Sequence, residues 1–183
     1  MKKQSLLIYL TGKPGTGKYT IAKELELQGF VVCDNQLINN PIFELLKYDG
    51  FSEISQLAWD YIGKIRNIIF DFISKDQNND YVLTNNLYED EGDRNLYEQV
   101  KEIAKNRDSL FIPVRLMVSE AEHLKRITQA TRKHRLKSVD PKDIYSVKPL
   151  LSINHANFLE LEVSNLSAKE VAEIILQHAL KLN

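Results

Sequence analysis

Residues 6–20 constrain this chain more tightly than any other stretch. An apolar run, Leu6 to Leu10, leads into Gly12-Lys13-Pro14-Gly15-Thr16-Gly17-Lys18-Tyr19-Thr20, and a helical pattern follows from Ile21 to Leu27. A buried strand, a glycine-rich turn and a helix start, in that order, let successive backbone amides turn inward around an anion. The glycines permit positive φ and leave no Cβ between loop and ligand. The helix start adds unpaired amides and a partial positive charge. Lys18 would set a full charge on the terminal phosphates of a nucleotide. The rival reading is an ordinary turn with a surface lysine; the spacing Gly12-x-x-x-x-Gly17-Lys18 between strand and helix favours the anion cradle.

One position departs from this template. A Ser or Thr is expected after the lysine, to place a short hydroxyl on magnesium, and Tyr19 stands there with Thr20 next. A phenol projects too far for that ligand position. The metal is therefore expected on phosphate oxygens, water and a carboxylate, which magnesium tolerates because it commonly keeps several waters. Thr20 remains able to donate to the phosphates.

The 183 residues fit one domain, with a lid segment at about 128–142. The 43% hydrophobic content supports a core. A net charge of −1 gives no global signal for nucleic acid or membrane. Cys33, the single cysteine, allows no internal disulfide, and its neighbours Val31 and Val32 point to a buried thiol. The apolar stretch after Met1 is too short to span a membrane and runs into the glycine loop, so it reads as a first strand. A cytoplasmic protein is expected, as a monomer or homodimer.

Strands and helices alternate. Strands are expected at Ser5–Leu10, Phe30–Cys33, Asp80–Thr84, Leu110–Val118 and Phe158–Val163. Helices are expected at Lys18–Gln28, stopped by Gly29, then Pro41–Lys47, Glu53 to about Ser74, and Glu91–Lys105. Two more start at Ser119 and Ser167, each with Glu three residues on as in a capping box. On the long helix, Ile54, Leu57, Ala58, Tyr61, Ile62, Ile65, Ile68, Ile69 and Phe72 recur as one buried stripe. Such alternation means crossover connections and a parallel sheet with helices on both faces. Ligands bind beyond the carboxyl ends of such strands, which gathers Asp34, Asn85, Asn86 and Ser119 around the glycine loop.

Asp34 could take the proton of an attacking hydroxyl or hold magnesium through water, or it could cap a turn. Asn35, Asn39 and Asn40 either bind a polar acceptor or stabilise a turn before Pro41. Strand three has no Asp at its end, where many nucleotide-binding proteins place a magnesium-associated carboxylate; Asn85 stands there, which moves the metal burden to Asp34. The one dense basic cluster is Arg126, Arg132, Lys133, His134, Arg135 and Lys137. It reads as a lid that closes over phosphates, or as a solvated helix face. Arg126 could stack on a base, and Arg132 and Arg135, three apart, suit one polyphosphate. Arg115 in an apolar strand must be paired, and Arg66 shares a helix face with Trp59. The histidines have no metal-ligand spacing.

The glycine loop with Pro14 third in the motif, and Lys18-x-Thr20, resembles the adenylate-kinase-like small P-loop kinases. The likeness extends to Asp34 after strand two, to Glu120–Ile127 leading into an arginine-bearing segment, and to Phe158–Leu182. Asp34-Asn35, Asn39-Asn40-Pro41, Val82 to Leu87, Pro113-Val114-Arg115-Leu116 and Arg132-x-x-Arg135-x-Lys137 look like a bacterial group labelled AAA-family ATPase or shikimate-kinase-like. The resemblance implies a three-layer α/β fold whose five parallel strands run 2-3-1-4-5, with a short lid. It implies ATP with Mg2+ and transfer of the γ-phosphoryl group to a small hydroxyl-bearing acceptor. By the same resemblance Arg126 packs on adenine, Arg132 and Arg135 grip phosphates, and Asp34 acts at acceptor and metal. Lys18, Asp34, Arg132 and Arg135 are the expected catalytic residues, with Asp34 and Thr20 toward magnesium, partly through water. Two rival readings are a nucleotide-dependent ATPase or switch, and a nucleotide-binding module without turnover.

Overall fold

The computed structural model describes residues 4–129, 136–137, 145 and 148–182. Arg132, Lys133, His134 and Arg135 lie outside the described residues, as does most of the lid segment.

Five parallel strands form one sheet in the order β2-β3-β1-β4-β5. They are β1 (Leu6–Thr11), β2 (Val31–Asp34), β3 (Tyr81–Asn85), β4 (Leu110–Met117) and β5 (Leu159–Glu162). The helices are α1 (Lys18–Glu26), α2 (Asn35–Leu45), α3 (Gln56–Lys75), α4 (Glu91–Asn106), α5 (Glu120–Ile127) and α6 (Ala168–Leu182). Strand β1 is buried along its whole length and pairs with β3 on one side and β4 on the other. Its alternate side chains enter two cores. Leu7 and Tyr9 pack with α2, α3 and α4, through residues such as Phe43, Ile62 and Val100. Leu6, Ile8 and Leu10 pack with α1 and α6, through Ile21, Leu25 and Ile175. The period-two alternation of a strand thus sorts the helices onto both faces.

The expected caps are present. Ser119 Oγ accepts from the Glu122 amide, and Ser167 exchanges bonds with Glu170 in both directions. Gly29 ends the first helical unit at φ 96°.

Two expectations need correction. The helix expected from Pro41 begins at Asn35, so Asn39, Asn40 and Pro41 lie inside α2 and stabilise no turn. The ring of Pro41 removes one donor, and the carbonyl four residues earlier belongs to Leu37, on the exposed side of the helix where water can serve it. The long helix α3 starts at Gln56, capped by Ser55, and does not bury its whole apolar set. Ala58, Ile62, Phe70 and Ile73 are buried, while Leu57, Tyr61, Ile68 and Phe72 are exposed. Apolar residues occur on both sides of this helix, and one sheet face covers one side.

Arg107, at the end of α4, is 2% exposed and acts as a buried fastener. Its guanidinium donates to the carbonyls of Ile73, Asp76 and Asn79 and to Ser109 Oγ, and it lies over the Tyr81 ring. These bonds tie the end of α3 to β3 and β4. Arg115, by contrast with its apolar neighbours, pairs with Glu160 at 2.9 Å and donates to Leu151 O, a structural role.

Arg107→Met leaves those carbonyls without donors and is expected to cost about 3 kcal/mol. Urea denaturation checks this; Arg107→Lys recovers little, since a single nitrogen cannot reach acceptors that three separate guanidinium nitrogens serve.

Candidate active site

The glycine loop closes the carboxyl end of β1, as its strand–turn–helix pattern requires. Gly12, Gly15 and Gly17 have φ of 139°, 92° and 97°, values that side chains rarely adopt. At Gly12 a Cβ would stand 2.5 Å from the Leu116 carbonyl, so the loop lies directly on β4. Thr16 Oγ1 closes the turn on Lys13 O at 3.0 Å. The Lys18 ammonium folds across the loop, donating to Gly12 O at 2.6 Å and Lys13 O at 2.9 Å. Gly17 precedes α1 and Asp34 precedes α2, and neither helix start has a side-chain cap. Helices α3, α4 and α5 are each capped by a side chain, Ser55, Asp90 and Ser119. The two uncapped starts face one cavity of about 760 Å³.

That cavity joins two halves. On one side lie Pro14 to Ile21, Lys125, Arg126 and Gln129; on the other lie Asp34, Asn35, Asn39, Trp59, Asn85 and Tyr88. Of the expected site residues, Pro14, Gly15, Thr16, Gly17, Lys18, Tyr19, Thr20, Asp34 and Arg126 line it. Gly12 and Lys13 lie beneath as loop backbone that receives Lys18.

Asp34 sits between the halves and is buried. Its Oδ1 accepts from Thr84 Oγ1 at 2.6 Å, while Oδ2 has no hydrogen-bond donor and lies 3.5 Å from the Lys137 ammonium. The same ammonium stands over the Tyr19 ring, 4.7 Å from its centroid. Tyr19 therefore offers an aromatic face to a lysine where the sequence template offers a hydroxyl to a metal. Burial, then the neighbouring Asp34 charge, pushes the Cys33 thiol up to about 12, so it stays protonated beside the site.

The donor set fits a magnesium triphosphate. Positive-φ glycines, an uncapped helix start and Lys18 suit the phosphates, and Asp34 Oδ2, which accepts no hydrogen bond and has the Lys137 ammonium beside it, is one oxygen for a cation that keeps its waters. Among the described residues no group of three or more His, Cys, Asp or Glu is arranged to hold a metal without such help.

Arg126 reaches across from α5. It pairs with Glu122 at 2.7 Å and donates to the carbonyls of Thr16, Val163 and Ser164. It thus ties the glycine loop to the connection before α6 while bordering the cavity. His123 makes a contact that nothing in the sequence signals. It is 4% exposed, its Nε2 meets the Pro14 carbonyl, and it packs under Gly15. A lone histidine on a short helix has no spacing to betray such a role.

The floor of the second half is an ordered chain. Burial holds the Tyr9 phenol well above its ordinary pKa, so it stays a donor, and it donates to Asn85 Oδ1 at 3.0 Å. Asn85 Nδ2 in turn donates to Asn35 Oδ1 at 2.9 Å. Asn86 also borders the cavity. Arg66 does not line the cavity; it lies within electrostatic reach of Tyr9 and Asp93, and burial lowers its pKa.

If the Tyr19 face holds Lys137, the substitutions Tyr19→Leu and Lys137→Met are non-additive. A double-mutant cycle by chemical denaturation is expected to give a coupling of about 0.5–2 kcal/mol.

No family model matches the chain, and no curated protein matches its sequence. Solved structures do match over nearly its full length. A candidate kinase from Chloroflexus aurantiacus superposes with TM-score 0.71 at 15% identity, spanning 99% of both chains. A gluconokinase from Sinorhizobium meliloti gives TM-score 0.63 at 13% identity, covering 99% of this chain and 95% of that one. A shikimate kinase from Acinetobacter baumannii, in complex with shikimate, gives 0.53 at 17% identity, covering 98% and 95%. With the strand order 2-3-1-4-5 and a glycine loop after β1, the chain has the α/β fold of the small P-loop kinases.

Proposed function

We propose that this protein is an ATP-dependent phosphotransferase that moves the γ-phosphoryl group to a small hydroxyl-bearing molecule. The observation that carries the reading is the single cavity joining an uncapped, glycine-lined helix start with Lys18 to a second half walled by amides and aromatic rings, with Asp34 at the junction.

Lys18 leaves the loop carbonyls to meet the terminal phosphates, and the amides at the start of α1 hold their oxygens. Thr20, exposed on the first turn, donates to the phosphates. Magnesium, when bound, neutralises phosphate charge, with Asp34 and water as its protein-side contacts and Thr20 nearby. Asp34 also stands where an acceptor hydroxyl would approach, able to take its proton. Arg132 and Arg135, outside the described residues, are proposed to neutralise the transferring group, and Arg126 to border the base. Catalysis on this reading is positioning and electrostatics more than covalent chemistry. The protein is proposed to work in the cytoplasm as a monomer or homodimer. Among the described residues no helix is long and apolar enough to cross a membrane.

A second reading, an ATPase or nucleotide switch without a small acceptor, is favoured by Tyr19 at the metal-ligand position and Asn85 at the end of β3. A phosphoryl-transfer screen across nucleotides, sugars, cyclic acids and aminoglycosides separates the two, with ATP consumption and phosphorylated product both measured. Stimulation by one acceptor with matching product supports the kinase; ATP consumption that no acceptor changes supports the switch. Lys18→Ala is expected to remove nucleotide binding or at least about 100-fold of turnover, since it takes away the charge on the phosphates. Unchanged turnover overturns both readings.

A further inference from the structure

The second half of the cavity specifies more than the presence of a hydroxyl. We infer that its ligand is a neutral polyhydroxylated ring compound, a sugar or cyclitol without a carboxylate; this rests on the phosphotransferase reading.

The polar wall is built from one carboxylate and neutral amides. Asn39 is 4% exposed and its Oδ1 has no hydrogen-bond partner; Asp34 is 6% exposed and its Oδ2 accepts no hydrogen bond, with the Lys137 ammonium 3.5 Å away as its ion partner. Gln36 donates through Nε2 to Leu136 O at 3.4 Å, which leaves its buried Oε1 without a partner. All three residues line the cavity. Buried acceptors of this kind are costly unless a ligand donates to them. The Tyr9–Asn85–Asn35 chain fixes the orientation of the next amide: Asn35 Oδ1 is taken by Asn85, so its Nδ2 is the atom turned to other partners. The wall thus offers several acceptors beside a donor. A hydroxyl both donates and accepts, and answers this pattern. A carboxylate only accepts, and would meet the buried Asp34 charge and unpaired amide oxygens.

Among the described residues, positive charge on this side is already committed. Among the described residues bordering this half, Lys137 is the one cation, and Asp34 and the Tyr19 ring hold it. A second stretch of the wall is apolar and aromatic. Phe43 packs against Tyr48 at 4.7 Å and edge-on to Trp59 at 6.0 Å between centroids, and all three border the cavity. A ring with hydroxyls toward the amides and C–H groups toward these side chains satisfies both walls at once.

The test uses one matched pair, glucose against glucuronate, with myo-inositol as a second neutral ring and gluconate as an open-chain acid. Binding is measured by calorimetry on the full chain with magnesium and a non-hydrolysable ATP analogue, and phosphoryl transfer is measured separately with ATP. A neutral ring is expected to bind at least about tenfold more tightly than its acid counterpart, the worth of roughly one hydrogen bond to a charged or buried group. Asn39→Ala is expected to weaken that binding about tenfold with nucleotide affinity retained. Trp59→Ala, at a half-exposed position, serves the same purpose if Asn39→Ala fails to fold. Tighter binding of the acids, or no binding of any neutral ring, overturns the inference. A neutral ring that binds as expected without receiving phosphate leaves the inference standing and sinks the phosphotransferase reading instead.

Discussion

Water is excluded from both faces of β1, and the rest of the molecule depends on that. Leu7, Ile8, Tyr9 and Leu10 are each 0% exposed. A slip of one residue in its pairing would exchange the two cores, so the register with β3 and β4 is strongly specified. Because β1 is fixed, Gly12 emerges against Leu116 O, and the loop has one place to turn. The shape of the glycine loop is thus a product of core packing as much as of its own glycines.

Helix α5 does a second job at the same place. His123 supports the loop from below at Pro14 and Gly15, and Arg126 draws Thr16 toward the connection before α6. Leu136 and Lys137 meet Gln36, Asp34 and Tyr19. Glycine loop, amide-lined wall and the pair Leu136-Lys137 are therefore linked through a few side chains. A change at Tyr19 or Lys137 acts on both halves of the cavity at once.

Much of this was legible in the sequence, because local chemistry governs it. The strand, glycine loop and helix at 6–27, the capping boxes at Ser119 and Ser167, and Asp34 at a strand end follow from spacing and residue type. Asn39-Asn40-Pro41 misled, because turn chemistry outweighed an amphipathic helix that tolerates proline on its wet side. The stripe on α3 misled for another reason: periodicity marks apolar positions but does not rank two apolar faces. Arg107 and His123 gave no signal, since the carbonyls that they meet lie 28–34 and 109 residues away in sequence. The pairing of Tyr19 with Lys137 was half visible. The tyrosine stood out as a departure, but only the fold brings a lysine to its ring.

The sheet ends in two short strands, β2 and β5, of four residues each. An outer strand offers unpaired backbone groups on which a foreign chain can grow, and brevity limits how many it can offer. On β5 the outward residues Glu160 and Glu162 add negative charge along that margin, with Glu160 anchored by Arg115. A second molecule approaching side-on would bring like charges together before any ladder could form. The same four-residue margins that close the fold thereby oppose its runaway assembly into fibres.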